Sequence, residues 1–346
     1  MSSTKILLLL CAFTTVLMSC EHRVTMETTV HADGQLDKQI FLEVEKKQKK
    51  VKESFIHFVD SAHLADWQAI DSTQLPPYLK PKEGKKYVGY RKHFESAEAA
   101  NEHLALPNDS LFRVTSSFKK KFRWFFTYIA YSDTYHAINR LSLSRKDFFT
   151  TEDFQFIERL PAEGKHISPA DSLYLKLLNE KITDHYGNRA FFEEYFNLLL
   201  AEVRQLPDGA WQEKLKTGKE SLYRKMVSDK DLPDNFLQLY ADSLNIPVKL
   251  TNPQFAADQK RLENKINFIT TAYDGKYRHT LHMPGPIVST NADSVAGNSA
   301  YWAPPAIKFL LTNYEMKAES RKINYWAFAI TLLVMGAAGW LLRKRE

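Results

Sequence analysis

The chain has 346 residues, with 47 Lys and Arg against 41 Asp and Glu, a formal net charge of +6, and two cysteines. That length is ample for one large core or two modest ones. The charge excess fits attraction to an anionic bilayer and does not argue for nucleic acid.

In chain order, the first feature is a targeting segment: Lys5, an apolar run from Ile6 to Leu17, then Leu17-Met18-Ser19-Cys20. Leu-x-Ser-Cys resembles the bacterial lipobox, which makes 1–19 a lipoprotein signal peptide and Cys20 the acylated first residue of the mature chain. Met18 is bulkier than the residue usual at its place. An ordinary signal peptide or signal anchor with a chance cysteine is the alternative. Cys11 leaves with the signal, so Cys20 remains alone, no internal disulfide forms, and the exported body depends on its core. Loss of Lys5, the one charged residue of 1–19, lowers the charge to +5.

Val24–Val30 and Leu36–Val44 read as strands around an Asp33-Gly34 turn. The lysine run Lys46–Lys52 leads into a helix with Val51, Phe55, Phe58, Val59 and Ala62 at helical spacing. Its lysines are the solvated helix start, with headgroup contact as the alternative. Pro76, Pro77 and Pro81 mark a loop, Lys86–Phe94 a strand, and Ser96 caps a helix through Leu104 with Glu98 in its first turn. Leu111–Asn139 is strand-rich, and two long strands are expected to turn near Asp133. Alternation sets Phe118, Phe122, Trp124 and Phe126 on one face and Lys119, Lys121 and Arg123 on the other. This is either a strand with a core side and a lysine-protected wet side, the simpler reading, or a membrane- or ligand-facing strip.

From Ser144 the pattern is helical. Ser168-Pro169-Ala170-Asp171 starts a helix that Gly187 is expected to end. Phe191–Leu206, Trp211–Val227 and Phe236–Ile246 carry further apolar stripes, read as core, with a lipid-lining groove as the alternative. Strands are expected at Lys265–Ala272 and Tyr277–Met283, joined by Asp274-Gly275, followed by short strands and turns from Pro284 to Trp302.

Tyr325–Leu342 is eighteen residues without a charge. As a helix it covers about 27 Å, close to the hydrocarbon core of a bilayer. Trp326 and Trp340 suit the two interfaces, and Arg343, Lys344 and Arg345 follow. A body of about 300 residues is too compact to bridge two membranes, so both anchors are expected in the inner membrane. The positive-inside rule then sets the body on the extracytoplasmic side and the tail in the cytoplasm. Arg321 and Lys322 oppose that rule and are assigned to phosphate headgroups on the outer face, where Lys119, Lys121 and Arg123 are the other candidate contacts.

The expected fold class is α+β. A discontinuous, mostly antiparallel sheet domain covers 20–143 and 265–322, a helical insertion 144–264, a transmembrane helix 325–342 and a cytoplasmic tail 343–346.

No GxSxG, HExxH, CxxC, P-loop or GxGxxG pattern occurs. His279 and His282, three apart on a strand, point to opposite faces and make poor joint ligands. His57, Asp60 and His63 share a helix face, which reads as a surface cluster. Glu193-Glu194 is placed on the polar side of a helix. No metal, cofactor or catalytic residue is assigned.

Four stretches together resemble the LppM-type bacterial lipoprotein domain. They are the lipobox with the Asp33-Gly34 hairpin; Tyr87-Val-Gly-Tyr with Phe94-Glu-Ser96-Ala-Glu98; Met283-Pro-Gly285 with Val288 and Asn291; and Gly297-Asn298 with Trp302. The match covers 20–143 and 265–342, and 144–264 is longer and more helical than that family needs. The resemblance implies a membrane-anchored α+β domain that binds a lipid or envelope component, with no catalytic residues to carry over. The expected function is therefore a non-enzymatic lipoprotein whose body binds a membrane lipid or another envelope protein. A hydrolase or transferase acting on envelope substrates, and a structural subunit of an inner-membrane complex, are the alternatives.

Overall fold

The computed structural model describes residues 22–46, 66–104, 113–228 and 235–344. Cys20, the signal segment, the helix expected over Val51–Ala62 and the His57, Asp60, His63 cluster lie outside the described residues.

Strands β1 (His22–Val30) and β2 (Leu36–Glu45) pair antiparallel from Val30 and Leu36 outward. Their turn uses Gly34 at φ +107, a left-handed conformation that glycine adopts without strain. A short β3 (Gln68–Ile70) and the long β4 (Lys85–Phe94) follow. Next comes α1 (Ala97–Leu104), where the Ser96 hydroxyl accepts from the Ala99 amide at 3.1 Å, as a cap should. Strands β5 (Val114–Arg123) and β6 (Phe126–Tyr135) form one hairpin in which Arg123 faces Phe126.

That hairpin turns at Trp124-Phe125, not near Asp133. Asp133 sits mid-strand and buried, which an aspartate tolerates only when its charge is met. Phe126 consequently begins the second strand on the same face as Arg123, the basic face rather than the aromatic one.

The helical stretch comprises α2 (Thr151–Arg159), α3 (Pro169–Glu180), α4 (Asn188–Val203), α5 (Ala210–Ser228), α6 (Phe236–Ser243) and α7 (Pro253–Tyr273). Thr150 and Asp153 form a capping box on α2, and Ser168 caps α3 ahead of Pro169. Gly187 does not end a helix: Lys181–Gly187 is a π-helical segment that carries α3 directly into α4. Lys265–Ala272 is helix, not strand. Asn252 caps α7 with Pro253 in the first turn, and Phe255, Leu262, Ile266 and Ile269 form one buried stripe that outweighs the β-branched run at its end.

The chain closes with β7 (Gly275–His282), β8 (Ile287–Thr290), β9 (Ser294–Ala296), β10 (Ser299–Trp302), α8 (Ile307–Leu311), β11 (Tyr314–Ile323) and α9 (Tyr325–Arg343). The strands make two mostly antiparallel sheets, of order β3-β4-β2-β1-β7-β10-β9 and β5-β6-β11-β8. With the helices, the class is α+β. α9 is long and apolar enough to cross a membrane, and its side chains are almost all exposed.

Two compact units result: one of Ala137–Gly275 with Ala306–Thr312, and one of Arg23–His136, Lys276–Pro305 and Asn313–Glu346. The helical unit is closed by Phe192, Tyr195, Phe196, Leu199, Leu215, Phe236 and Tyr240. Its Glu193 is buried rather than on a wet face, held by Arg189 at 3.1 Å and Lys219 at 2.6 Å, while Glu194 takes Lys265 at 3.1 Å. The sheet unit buries Met26, Ile40, Leu281, Trp302, Ile129, Tyr135 and Met316.

Candidate functional site

In the sheet unit, β6 lies between β5 and β11, so three residues share each cross-strand row. On the outer face the rows run Thr115–Thr134–Glu315, Ser117–Ser132–Lys317, Lys119–Ala130–Glu319, Lys121–Tyr128–Arg321 and Arg123–Phe126–Ile323. Small side chains in the middle rows leave a cleft of about 260 Å³, bounded by Lys119, Lys317, Glu315, Glu319 and Thr290 of β8, with Lys317 paired to Glu315 at 3.1 Å. The last two rows are basic and aromatic, and they end where α9 begins. The Arg321 guanidinium stands over the Phe126 ring at 4.6 Å, which fixes its orientation without neutralising it.

The polypeptide around this face explains several of the motif residues. Gly285 passes against β11 so closely that a Cβ there would lie 2.6 Å from the Arg321 carbonyl oxygen. The Arg321 amide donates to the Pro286 carbonyl at 3.0 Å. Asn291 spans the strand end: its Nδ2 donates to the Glu315 carbonyl at 2.6 Å, its Oδ1 accepts from the Lys317 amide at 2.9 Å, and its carbonyl accepts from Trp302 Nε1 at 3.2 Å. Asn298 donates to the Met283 carbonyl at 2.9 Å. These residues pin loops to strands; among the described residues they make no reactive group.

The face thus gathers Lys119, Lys121, Arg123 and Arg321. It does not gather Lys322, which pairs with Thr127 on the opposite face because neighbours in a strand alternate. Of the five expected cations, four therefore share this face of the sheet and Lys322 is exposed on the other. The signal for it was present: Met316, Ala318 and Ser320 are buried at every second position of β11, a period-2 pattern that marks a strand.

The chemistry that sequence reading missed lies between the sheets. Lys38 Nζ donates to Asp133 Oδ1 and Oδ2 at 2.9 and 2.7 Å and to Tyr131 Oη at 3.0 Å. Ser116 Oγ and Tyr131 Oη donate to the same carboxylate at 2.6 and 2.7 Å. Beside them His279 contacts Thr28 Oγ1 at 3.3 Å and Tyr135 Oη at 3.2 Å. Burial works against the Asp133 charge, but the Lys38 ammonium and these hydrogen bonds hold its carboxyl below the usual range. Burial lowers His279 to about 4, against the pull of Asp133, so its imidazole is neutral at pH 7. The adjoining cavity, lined by Lys38, Trp67 and Tyr135, holds about 20 Å³, room for one water and no substrate. This network is a buried clamp between sheets.

On the other side of β2, Asp37 accepts from His31 at 2.6 Å and from His93 at 2.7 Å. Among the described residues no three His, Cys, Asp or Glu side chains are arranged to hold a metal ion. His279 and His282 lie on opposite faces of β7, one buried and one half-buried.

No protein-family model matches the chain, and no curated protein matches it. Among solved structures it is similar to the folded domain of the Mycobacterium tuberculosis LppM protein, determined by NMR. The identity is 10%, the TM-score 0.25, and 88% of this chain and 91% of that one are covered. A likeness of that size carries no argument about fold or role.

Proposed function

We propose that the protein is a membrane-held, non-enzymatic binding module whose four-stranded sheet receives the headgroup of an anionic lipid. The observation that carries this reading is the row Lys121–Tyr128–Arg321 with Arg123 one row further on, all on the cleft face and next to the first residue of α9. A helix of that kind puts its start at the headgroup level, so these cations would meet phosphate rather than bulk water. Each contributes about 1 kcal/mol at an anionic surface. Three together make roughly a hundredfold preference for anionic over zwitterionic lipid. Ser117 and Ser132 stand two rows away, about 14 Å along the same face, and with Thr290 they supply hydroxyls suited to the polyol part of a large headgroup.

The absence of catalysis is proposed because Asp133, His279, Tyr131 and Tyr135, four fully buried groups whose protonation burial and charge alter, are spent on one another and on Lys38 inside the sheet unit. Cys20 as the acylated residue, the inner membrane as the location and the extracytoplasmic side for the body belong to the same proposal, supported by the lipobox-like Leu17-Met18-Ser19-Cys20 and by Arg343, Lys344 and Arg345 after the helix.

The test is native mass spectrometry of the full chain released from nanodiscs of phosphatidylcholine with and without phosphatidylglycerol. Wild type should retain phosphatidylglycerol, and Lys121→Gln/Arg123→Gln/Arg321→Gln should lose that preference by one to two orders of magnitude. Lys322→Gln, on the opposite face, should keep it. Equal retention by wild type and triple variant would overturn the reading.

A further inference from the structure

The β5–β6 hairpin ends in Trp124-Phe125, a two-residue turn with no glycine, asparagine or proline to favour it. Something other than turn chemistry holds it, and the contacts are with α9. The Phe122 ring stacks on Trp326 at 6.0 Å and nearly parallel, Trp124 meets the same indole edge-on at 5.5 Å, and Phe125 lies 4.6 Å from Phe328. Trp124 Nε1 donates to Thr331 Oγ1 at 2.9 Å. Even so, Phe122 and Trp124 remain 55% and 47% exposed.

Depth decides what that exposure means. Thr331 is about 9 Å along the helix from Tyr325 at 1.5 Å per residue. A side chain hydrogen-bonded to it shares its level, well inside the apolar stretch. In hydrocarbon an indole N–H without a partner is costly, and this one has a partner from within the span. Above the tip stand Arg123, then Lys121 and Arg321, the order of apolar, aromatic and basic groups that a membrane interface selects.

We propose that the hairpin tip, Phe122 to Phe126, enters the same leaflet as α9 and forms a second membrane-contacting element, a wedge among the acyl chains just below the headgroups. It rests on the spanning reading of α9 but not on headgroup recognition. The observation behind it is the level shared by Trp124 and Thr331. The body would then be held by two elements at one fixed tilt.

The experiment uses the full chain with Cys11→Ser and Cys20→Ser, anchored by α9 in phosphatidylcholine vesicles, and an environment-sensitive NBD label on a single new thiol. Phe122→Cys probes the tip, Thr115→Cys the far end of the same strand about 24 Å away, and Leu333→Cys the helix. The label at 122 should be blue-shifted, reduced by external dithionite at least fivefold more slowly than at 115, and quenched by lipids spin-labelled high on the acyl chain. Equal dithionite rates at 122 and 115 with a protected 333 would overturn the wedge and leave the spanning helix standing. An unprotected 333 would overturn both. Should Phe122→Cys fail to fold, wild type and Trp124→Phe are compared by brominated-lipid quenching: the variant should lose a strongly quenched component, and identical profiles would overturn the wedge.

Discussion

Lys38 and Asp133 form an ion pair between the two sheets, 2.7 Å from Nζ to Oδ2, with only 7% and 1% of each residue exposed. The pair is the charged centre of a buried polar network that also holds Ser116, Tyr131, Tyr135, His279 and Thr28, and it ties β2 to β6 at one register. A slip of either strand by one residue would turn a charge outward and leave its partner buried and alone.

Removing one member should therefore cost far more than removing both. Lys38→Met leaves the carboxylate with two hydroxyl donors and no countercharge, and is expected to lower unfolding free energy by about 3–5 kcal/mol. Lys38→Met/Asp133→Leu should lose clearly less than the sum of the single variants, with a coupling of about 1–3 kcal/mol. Guanidinium unfolding of the three variants measures this. Additive losses would mean the two charges are independent.

Stability should also fall with acid in a window set by His279. Burial lowers its folded pKa to about 4 from the ordinary 6.5, so below 6.5 the unfolded chain takes up a proton that the folded chain refuses. The contribution is complete above pH 6.5 and shrinks as pH drops toward 4, by up to roughly 3 kcal/mol. Urea unfolding at pH 7.5, 5.5 and 4.5 should show this slope in wild type, and His279→Gln should flatten it.

His93 runs the other way. Its hydrogen bond to Asp37 raises its pKa, so the stability it supplies is complete below 6.5 and lost as pH rises through the raised folded value. The imidazole of His93, followed by NMR, should titrate above 6.5 in wild type and fall toward the ordinary value in Asp37→Asn, with Glu95 at 3.6 Å still holding part of the rise.

The sequence carried more of the fold than of the site. The hairpin at Asp33-Gly34, the caps at Ser96 and Ser168 and the apolar stripe of α4 are local signals, and each element formed where they placed it. Lys265–Ala272 and Gly187 mislead because local signals compete, whereas Asp133 and Lys322 depend on long-range pairing. Asp133 read as a turn because a charge in a Phe- and Tyr-rich run has no local countercharge; Lys38, which supplies it, is 95 residues away. Likewise Arg321 joined Lys121 and Lys322 did not because register, a long-range property, decides which neighbour faces the cleft. The Lys119, Lys121, Arg123 alternation needed only local spacing, and it was legible.

Gly285 offers a test of how tightly the site is built. A methyl group at 285 would sit 2.6 Å from the Arg321 carbonyl oxygen, a backbone atom that cannot swing aside. Gly285→Ala should cost about 1–3 kcal/mol by overpacking and shift the Arg321 and Lys322 amide resonances. Gly209→Ala, where nothing lies within 4 Å of the added carbon, is the control and should be close to neutral. Thermal unfolding with two-dimensional NMR reads both.

Asn324 joins the sheet unit to α9 without a linker. Its Oδ1 accepts from Thr127 Oγ1 at 2.9 Å, and its Nδ2 donates to the Arg123 and Trp124 carbonyls at 3.0 and 3.1 Å. Its own amide donates to the Phe125 carbonyl at 2.9 Å, and its carbonyl receives the Ala327 amide at 2.9 Å in the first turn of the helix. Asn324→Ala keeps the backbone bonds but strips two carbonyls of a donor and leaves the buried Thr127 hydroxyl without its acceptor, a loss of about 1–3 kcal/mol. Asn324→Asp keeps the acceptor and sets a negative oxygen against two carbonyls, so it should be at least as damaging. Hydrogen exchange of the peptide spanning 122–127, in the membrane-reconstituted chain, should quicken about tenfold or more in both variants while membrane retention stays unchanged. Unaltered exchange there would mean that the strand and the helix are coupled by the main chain alone, and that the hairpin keeps its level through ring stacking on Trp326 and Phe328 instead.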